Sequence, residues 1–493
     1  MWKLIIIVIA SFLRIWQLGQ LTEFLGDQGR TMLVLRDFIE RGIIPVAGPT
    51  TLSGHHLGPM FYYLLAPGYI LFGGGPIGVS LWMVVLGIVA VLVLYEVVTL
   101  MFGVWPARAV SLLWAVSPFI IRSDRVIWEP NLVPLFALLF VYLLYKVHGA
   151  WTWGKWLALG AVTGILIQLH YPTVFFIGLL VLYAGSLLVL RLRNIGDVAF
   201  AFAWGFIGFT VSLLPFLWYE STVGFQDIIG VISVMASGGG DPVGKRVMVS
   251  LWLEYAFRIF GRTLPYMSRV TVMVPIFLWL FFFVRRPTKR NVFLTAWFFG
   301  GLLPMGRFSW AVYDHYLFFL IPVPFLMIAS VLSTIKQHTQ QYVAVCILGV
   351  VVIFQLMKVD VFKPGNNDIQ RVATAVSMIR DEIGDSRFSF TLINSKSFSD
   401  LHYRYFMDNM GLKPESITDA YPTLVLICDQ ADCPAPLSLV KDTEVQVICY
   451  EERCLGVYPK IALFSDWNYE TSKVVGDGLG RIYMFKRRPD LVQ

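Results

Sequence analysis

From Pro76 to Met101 the chain carries a single charged residue, Glu96, in a run long enough to cross a bilayer as one helix. Similar apolar runs recur at 4–20, 107–121, 131–148, 156–170, 173–190, 197–218, 270–284, 291–306, 315–333 and 340–357. Inside lipid no water is present to satisfy the backbone amides, so such segments must be helical. The pattern predicts a mainly α fold, a polytopic helical membrane protein of about 11 transmembrane helices. Composition agrees. Apolar residues make up 57% of the chain and charged ones 14%, against about 25% charged in soluble domains. A water-soluble globule and a disordered chain are both excluded.

Charge divides the chain in two. Residues 1–357 hold 23 Lys and Arg against 13 Asp and Glu, whereas 358–493 hold 16 against 19. The net +7 therefore belongs to the membrane part, where basic residues set orientation, and it implies membrane lipids rather than nucleic acid as partners. With a cytoplasmic amino terminus, Lys3, Arg108, Lys146 with Lys155, Arg191 with Arg193, the 285–290 basic cluster and Lys336 all fall on one side, in short connections almost free of acid. This is the positive-inside pattern of a multi-pass cell-membrane protein. The connections 22–75, 122–130, 219–269 and 307–314 then face outward with the tail. A cleavable signal peptide is the alternative for the first run, but it continues into Phe12-Leu13-Arg14-Ile15-Trp16 without a small-x-small site, which favours a retained helix.

The tail, 358–493, changes character. Strand-like runs at Phe388–Ile393, Thr423–Cys428, Val445–Tyr450 and Arg481–Phe485 accompany a helical pattern at Asn367–Ile383, so a small α/β extracytoplasmic C-terminal domain is expected after a transmembrane domain of 1–357. Four of the five cysteines lie there, as Cys428-x4-Cys433 and Cys449-x4-Cys454. Two disulfides suit an oxidising compartment, with connectivity open among three pairings; a four-thiolate zinc site is the alternative. Cys346, in the last apolar run, reads as a buried small apolar residue.

Long loops are where function concentrates. The first outer loop, 22–75, opens with Gly26-Asp27-Gln28-Gly29-Arg30, passes through an amphipathic stretch from Thr31 to Arg41 suited to a membrane surface, and closes with Gly54-His55-His56-Leu57-Gly58-Pro59-Met60-Phe61-Tyr62-Tyr63. Asp27 at an interface beside His and Arg is material for proton abstraction, or else it caps the following helix. The second outer loop sets Arg122, Asp124, Arg125 and Glu129 within ten residues. Such a set either holds a phosphate or consists of side chains that neutralise one another at the interface.

In order and wording these segments resemble the GT-C class of membrane glycosyltransferases, in particular the protein O-mannosyltransferase and aminoarabinose-transferase-like group of glycosyltransferase family 39. The resemblance lies in Leu13-Arg14-Ile15-Trp16 leading to Gly26-Asp27-Gln28, in Gly58-Pro59-x-x-Tyr62-Tyr63, in Arg125 to Glu129-Pro130, in Gln168-Leu169-His170-Tyr171-Pro172-Thr173, and in Tyr313-Asp314-His315-Tyr316. It covers nearly all of 1–357 and none of the tail. It implies transfer of a sugar from a polyprenyl-phosphate donor to a glycan, lipid or protein acceptor at the outer membrane face. It also implies that the catalytic acids are Asp27, as base on the acceptor, and Glu129, with Asp124 a possible substitute. A second acid often follows the first in that group; here Gln28 stands in its place.

The chemistry suits these roles. An acceptor hydroxyl needs a carboxylate to take its proton, and the departing phosphate is stabilised by Arg or His donors without a general acid. The substrate-binding candidates are His55, His56, Arg122, Arg125, Asp124, Tyr62, Arg258, Arg262, His170 and His315, with Arg125 and His56 foremost. Direct attack with one base predicts inversion. No metal and no cofactor is expected beyond the lipid-linked donor. Rival readings are a transporter or flippase of lipid-linked sugars, an inactive envelope scaffold, and an envelope-glycan polymerase or ligase. The clustering of acids in outer loops, away from mid-membrane, disfavours transport.

Overall fold

The computed structural model describes residues 1–493 apart from 52, 239–244, 265–268, 286, 309–311, 417–420, 431–432, 434–444, 447–459, 462–466, 476–479 and 489–493. Along the chain run the helices α1 (Trp2–Ile15), α2 (Leu18–Leu21), α3 (Gly26–Glu40), α4 (Met60–Leu71), α5 (Pro76–Phe102), α6 (Val104–Ala115), α7 (Pro118–Ser123), α8 (Val133–Gly149), α9 (Trp153–Leu169), α10 (Phe175–Val189), α11 (Ile195–Thr222), α12 (Gln226–Ser237), α13 (Lys245–Thr263), α14 (Arg269–Arg285), α15 (Lys289–Met305), α16 (Pro322–Leu332) and α17 (His338–Met357). The tail contributes α18 (Asp368–Ile383) and α19 (Leu401–Asn409) with the strands β1 (Phe388–Ile393), β2 (Pro414–Glu415), β3 (Thr423–Cys428), β4 (Val445–Gln446), β5 (Lys460–Ile461), β6 (Trp467–Val475) and β7 (Gly480–Arg487). These elements form two compact units. One comprises 1–16, 44–68 and 80–363; the other comprises 17–43, 69–79 and 364–493.

The first unit is helical because its apolar runs allow nothing else, and local chemistry sets where each helix stops. Gly103, at φ 95°, ends α5 and lets the chain turn at once into α6. Asn194 and Thr288 cap α11 and α15 by accepting hydrogen bonds from the amides of Asp197 (2.8 Å) and Asn291 (3.3 Å). Proline sits in the first turn of α7 and of α16, where no amide is needed.

Each expected apolar run falls on a helix. Among the described residues six helical stretches are long and apolar enough to cross a membrane: Pro76–Phe102, Glu129–Gly149, Tyr171–Val189, Ile195–Thr222, Asp314–Leu332 and Thr339–Met357. The other runs are interrupted or shorter. The first run is interrupted where Gln17 takes a positive φ of 52°, and the run 107–121 breaks at Ser117-Pro118, so the expected count of about 11 spans is not confirmed by helix length among the described residues.

Two segments read as loops are helical: 22–75 holds α3 and α4, and 219–269 holds α12 and α13. The amphipathic stretch Thr31–Arg41 does not lie free for a membrane surface. Met32 and Leu35 are fully buried, and α3 packs on α19 within the second unit. Cys346 is exposed rather than buried, because α17 lies at the edge of the helical unit and turns most of its apolar surface outward.

The second unit is a five-stranded sheet of order β2-β1-β3-β7-β6, parallel through β2, β1 and β3 and antiparallel from β3 through β7 to β6, with a bulge in β6 between Tyr469 and Thr471. One core gathers Val372, Val376 and Ile379 of α18 with Phe390 and Leu392 of β1 and Ile482 of β7. The expected strands at 388–393, 423–428 and 481–485 and the helix at 367–383 are present, whereas β6 and α19 escaped the pattern. Of the expected run Val445–Tyr450, only Val445–Gln446 is described, paired with β5. Arg286, Cys449 and Cys454 lie outside the described residues.

Candidate functional site

In the second unit, Asp27 stands in the first turn of α3. Leu25 is the N-cap residue, and the capping contact comes from Gln28, whose Oε1 accepts the Leu25 amide at 2.9 Å, while Ser397 Oγ accepts the Gly26 amide at 2.9 Å. Gln28 is thus a buried structural residue. Asp27 is left out of the capping; its side chain is half exposed and meets the Arg30 guanidinium at 3.1 Å.

The glycines around it are needed for close approach. A Cβ at Gly26 would collide with Ser399 and Ser397, and one at Gly29 with the backbone of Leu401 and His402. The α3 helix is pinned further by ion pairs of Arg36 and Arg41 with Asp408, and by Phe24 edge-on to Tyr405 and Phe406 at 6.0 and 5.7 Å.

Behind that contact lies a buried polar cluster centred on Asp429. Its carboxylate accepts from Tyr403 Oη (2.8 Å) and Ser395 Oγ (3.0 Å), with Arg371 Nη2 at 3.6 Å and His402 Nε2 at 3.8 Å. Burial pushes the Asp429 carboxyl up, but His402, Arg371 and Tyr403 outweigh it and hold it below the usual carboxylate range. Burial wins at Asp400, despite Arg404 at 2.9 Å, and at Asp368, despite Arg371 at 3.0 Å, so both are raised. Asp429 follows directly on Cys428, which is disulfide-bonded to Cys433.

The first unit holds the remaining candidates. Arg14, fully buried in α1, donates to Asp124 Oδ2 at 2.7 Å and to the carbonyls of Ala10 and Ala115. Gly87 of α5 leaves the room that Asp124 occupies. Next to it, Arg125 is 4% exposed and donates from Nη2 to the Trp16 carbonyl at 2.8 Å; its Nε is buried without a hydrogen-bond partner, and no carboxylate pairs with it among the described residues. Arg122 is exposed. Glu129 is buried in the first turn of a short 3-10 helix, Glu129–Leu132.

Trp128 lies edge-on to His315 at 4.8 Å, and His315 stacks on buried His170 at 5.2 Å. Tyr171 donates to the His56 carbonyl. His55 and His56 both meet Asp227, at 3.4 and 3.1 Å, and Tyr219 Oη lies 3.1 Å from His56 Nδ1. Arg258 donates to Asp314 at 2.6 Å and Arg262 pairs with the same carboxylate, so the two arginines share one acid. Tyr62 is buried.

Contacts therefore run from the 122–130 loop through His315, His170 and Tyr171 to His56. Sequence reading missed Asp227, which sits in the first turn of α12 inside an assumed loop, and Arg14, which was quoted in a motif without a partner. Among the described residues no group of three His, Cys, Asp or Glu side chains is arranged to hold a metal ion.

Two comparisons bear on this arrangement. Residues 56–219, one third of the chain, match the family described as dolichyl-phosphate-mannose-protein mannosyltransferase. That segment contains His56, Tyr62, Arg125, Glu129 and His170 but not Asp27. Along 98% of both chains the structure superposes on ArnT from Cupriavidus metallidurans, solved bound to undecaprenyl phosphate, at a TM-score of 0.63 and 13% identity. The fold is that of a GT-C glycosyltransferase. The GT-C oligosaccharyltransferase of Archaeoglobus fulgidus is similar too. Its complex with zinc and sulfate gives a TM-score of 0.57 at 13% identity over 88% of this chain and 68% of that one. Its complex with an inhibitory peptide and dolichol phosphate gives 0.52 at 11% identity over 100% and 75%. No curated protein sequence matches the chain.

Proposed function

We propose that the protein transfers a sugar from a polyprenyl-phosphate donor to an acceptor hydroxyl at the outer face of the membrane, with inversion. The observation that carries this reading is Arg125. A buried guanidinium without a carboxylate is costly by several kcal/mol unless an anion joins it, and a phosphate is the anion the proposed donor supplies. The neighbouring aromatic surface of Trp128 and His315 suits a sugar ring. That solved GT-C proteins hold undecaprenyl phosphate or dolichol phosphate supports the same ligand class here.

In this reading Asp27 takes the acceptor proton as the sugar carbon is attacked, and the bond to the phosphate oxygen breaks with its electrons on the phosphate. Arg125, aided by His56, stabilises the charge that collects there. Glu129 is the second acid and contacts the sugar. Asp124, Arg258 and Arg262 act structurally, since each is committed to an ion pair. The reaction as proposed needs no metal. The Cys428–Cys433 disulfide and the basic connections support an extracytoplasmic tail and a cytoplasmic amino terminus. The tail is the natural selector of the acceptor.

The test supplies the full-length protein in membranes with radiolabelled polyprenyl-phosphate sugars and a native extract. The reading expects label in a glycan, lipid or protein acceptor. Label that merely changes leaflet indicates a transporter and overturns it.

A further inference from the structure

A cavity of about 190 Å³ opens among α9, α10 and α11, built from residues the proposed reaction does not use. Its wall is apolar, with Trp151, Trp156, Leu180, Leu187, Phe202 and Phe206 prominent. The cause is local sequence. Gly160 and Gly208 bring α9 and α11 into backbone contact, since a Cβ at either would fall on a carbonyl of the other helix, while α10 packs only loosely against α11. Phe202 and Phe206 line the cavity and are also 48% and 68% exposed, so it opens sideways to the outside of the helical unit.

One end is cationic. Arg193 lies over the Trp151 ring at 4.7 Å, and Tyr183 of the cavity wall shares a 2.9 Å hydrogen bond with His148. Arg191 and Arg193 are exposed in the connection from α10 to α11, and Lys155 is held nearby on the carbonyls of Lys146 and Ala150. An open apolar slot with the Arg193 guanidinium over its Trp151 wall, and Arg191 exposed two residues before it, is complementary to a phosphate joined to a hydrocarbon chain.

We propose that this cavity takes an acyl chain of an anionic phospholipid, with the headgroup phosphate at Arg191 and Arg193. That volume admits a segment of one acyl chain and a far smaller share of a long polyprenyl chain, which assigns the slot to a bilayer lipid. The site stands independently of the transfer reaction.

The test is native mass spectrometry of the full-length protein with phosphatidylglycerol and phosphatidylcholine of equal chain length. Phosphatidylglycerol should be retained preferentially, and Arg191→Gln with Arg193→Gln should weaken its retention about thirtyfold, the factor for removing two cations near an anionic headgroup. Gly205→Leu should abolish retention. A Cβ there meets only the Trp156 carbonyl, at 3.8 Å, so the new side chain enters the cavity without parting the helices. Equal retention of the two lipids, no effect of the double arginine change, or displacement of phosphatidylglycerol by equimolar undecaprenyl phosphate would each overturn the assignment.

Discussion

Replacing Arg125 by Met should change stability and ligand response in opposite directions. Without ligand, the wild-type guanidinium is buried with one hydrogen bond, to the Trp16 carbonyl, and no carboxylate partner among the described residues. Methionine forfeits that bond, worth about 1 kcal/mol, and removes a desolvated charge whose burial costs several. The net is a gain of about 1–3 kcal/mol for the ligand-free protein. With polyprenyl phosphate the sign reverses. A ligand at a hundred times its Kd stabilises the wild type by about 2.7 kcal/mol, whereas losing a buried charge pair costs about 2–5 kcal/mol of affinity and erases most of that gain. Thermal unfolding in detergent, with and without undecaprenyl phosphate, reads both effects. A ligand-free variant less stable than wild type, or one that keeps its full ligand-induced stabilisation, would refute the assignment of Arg125 to a phosphate.

Other consequences follow from single contacts. Asp124→Asn leaves Arg14 buried and without its carboxylate, and should destabilise the protein by about 3 kcal/mol or more, read as lost monodispersity and a lowered unfolding temperature. Asp429 is held below the usual range, so the stability it contributes is present above the ordinary carboxylate pKa of about 3.9 and is lost as pH falls through its depressed value. Asp429→Asn should therefore raise amide exchange of β1 and β3 at neutral pH and leave it little changed at the most acid pH. The raised Asp400 and Asp368 act in the opposite sense, favouring the fold below the ordinary pKa and losing that contribution as pH rises through their folded values. Cys428→Ser with Cys433→Ser should cost about 2 kcal/mol for so short a loop, and alkylation with mass analysis should find both thiols blocked in wild type until reduction.

The helices were legible because a backbone in lipid has one solution, and the tail strands because β1 and β3 are short apolar runs bounded by turn residues. What stayed hidden depends on long-range partners. Apolar periodicity shows that Thr31–Arg41 is amphipathic but not that its apolar face meets α19 rather than lipid. Gln28 looked like a departure from a paired-acid motif and proves to be the residue that caps α3. Asp227 and Asp314 were visible as acids, but only the fold shows that one serves two histidines and the other two arginines. The disulfide pairing at 428 and 433 was among the open possibilities, and no spacing argument could have chosen it.

The most direct test of the account is the Asp27→Asn protein. Asp27 is half exposed and takes no part in capping α3, so the change preserves shape and folding while removing the base. In membranes given radiolabelled polyprenyl-phosphate sugar and native acceptor, transfer should fall by at least about a hundredfold, as expected for loss of a general base, with expression and polyprenyl-phosphate binding unchanged. Transfer at the wild-type rate would contradict the mechanism.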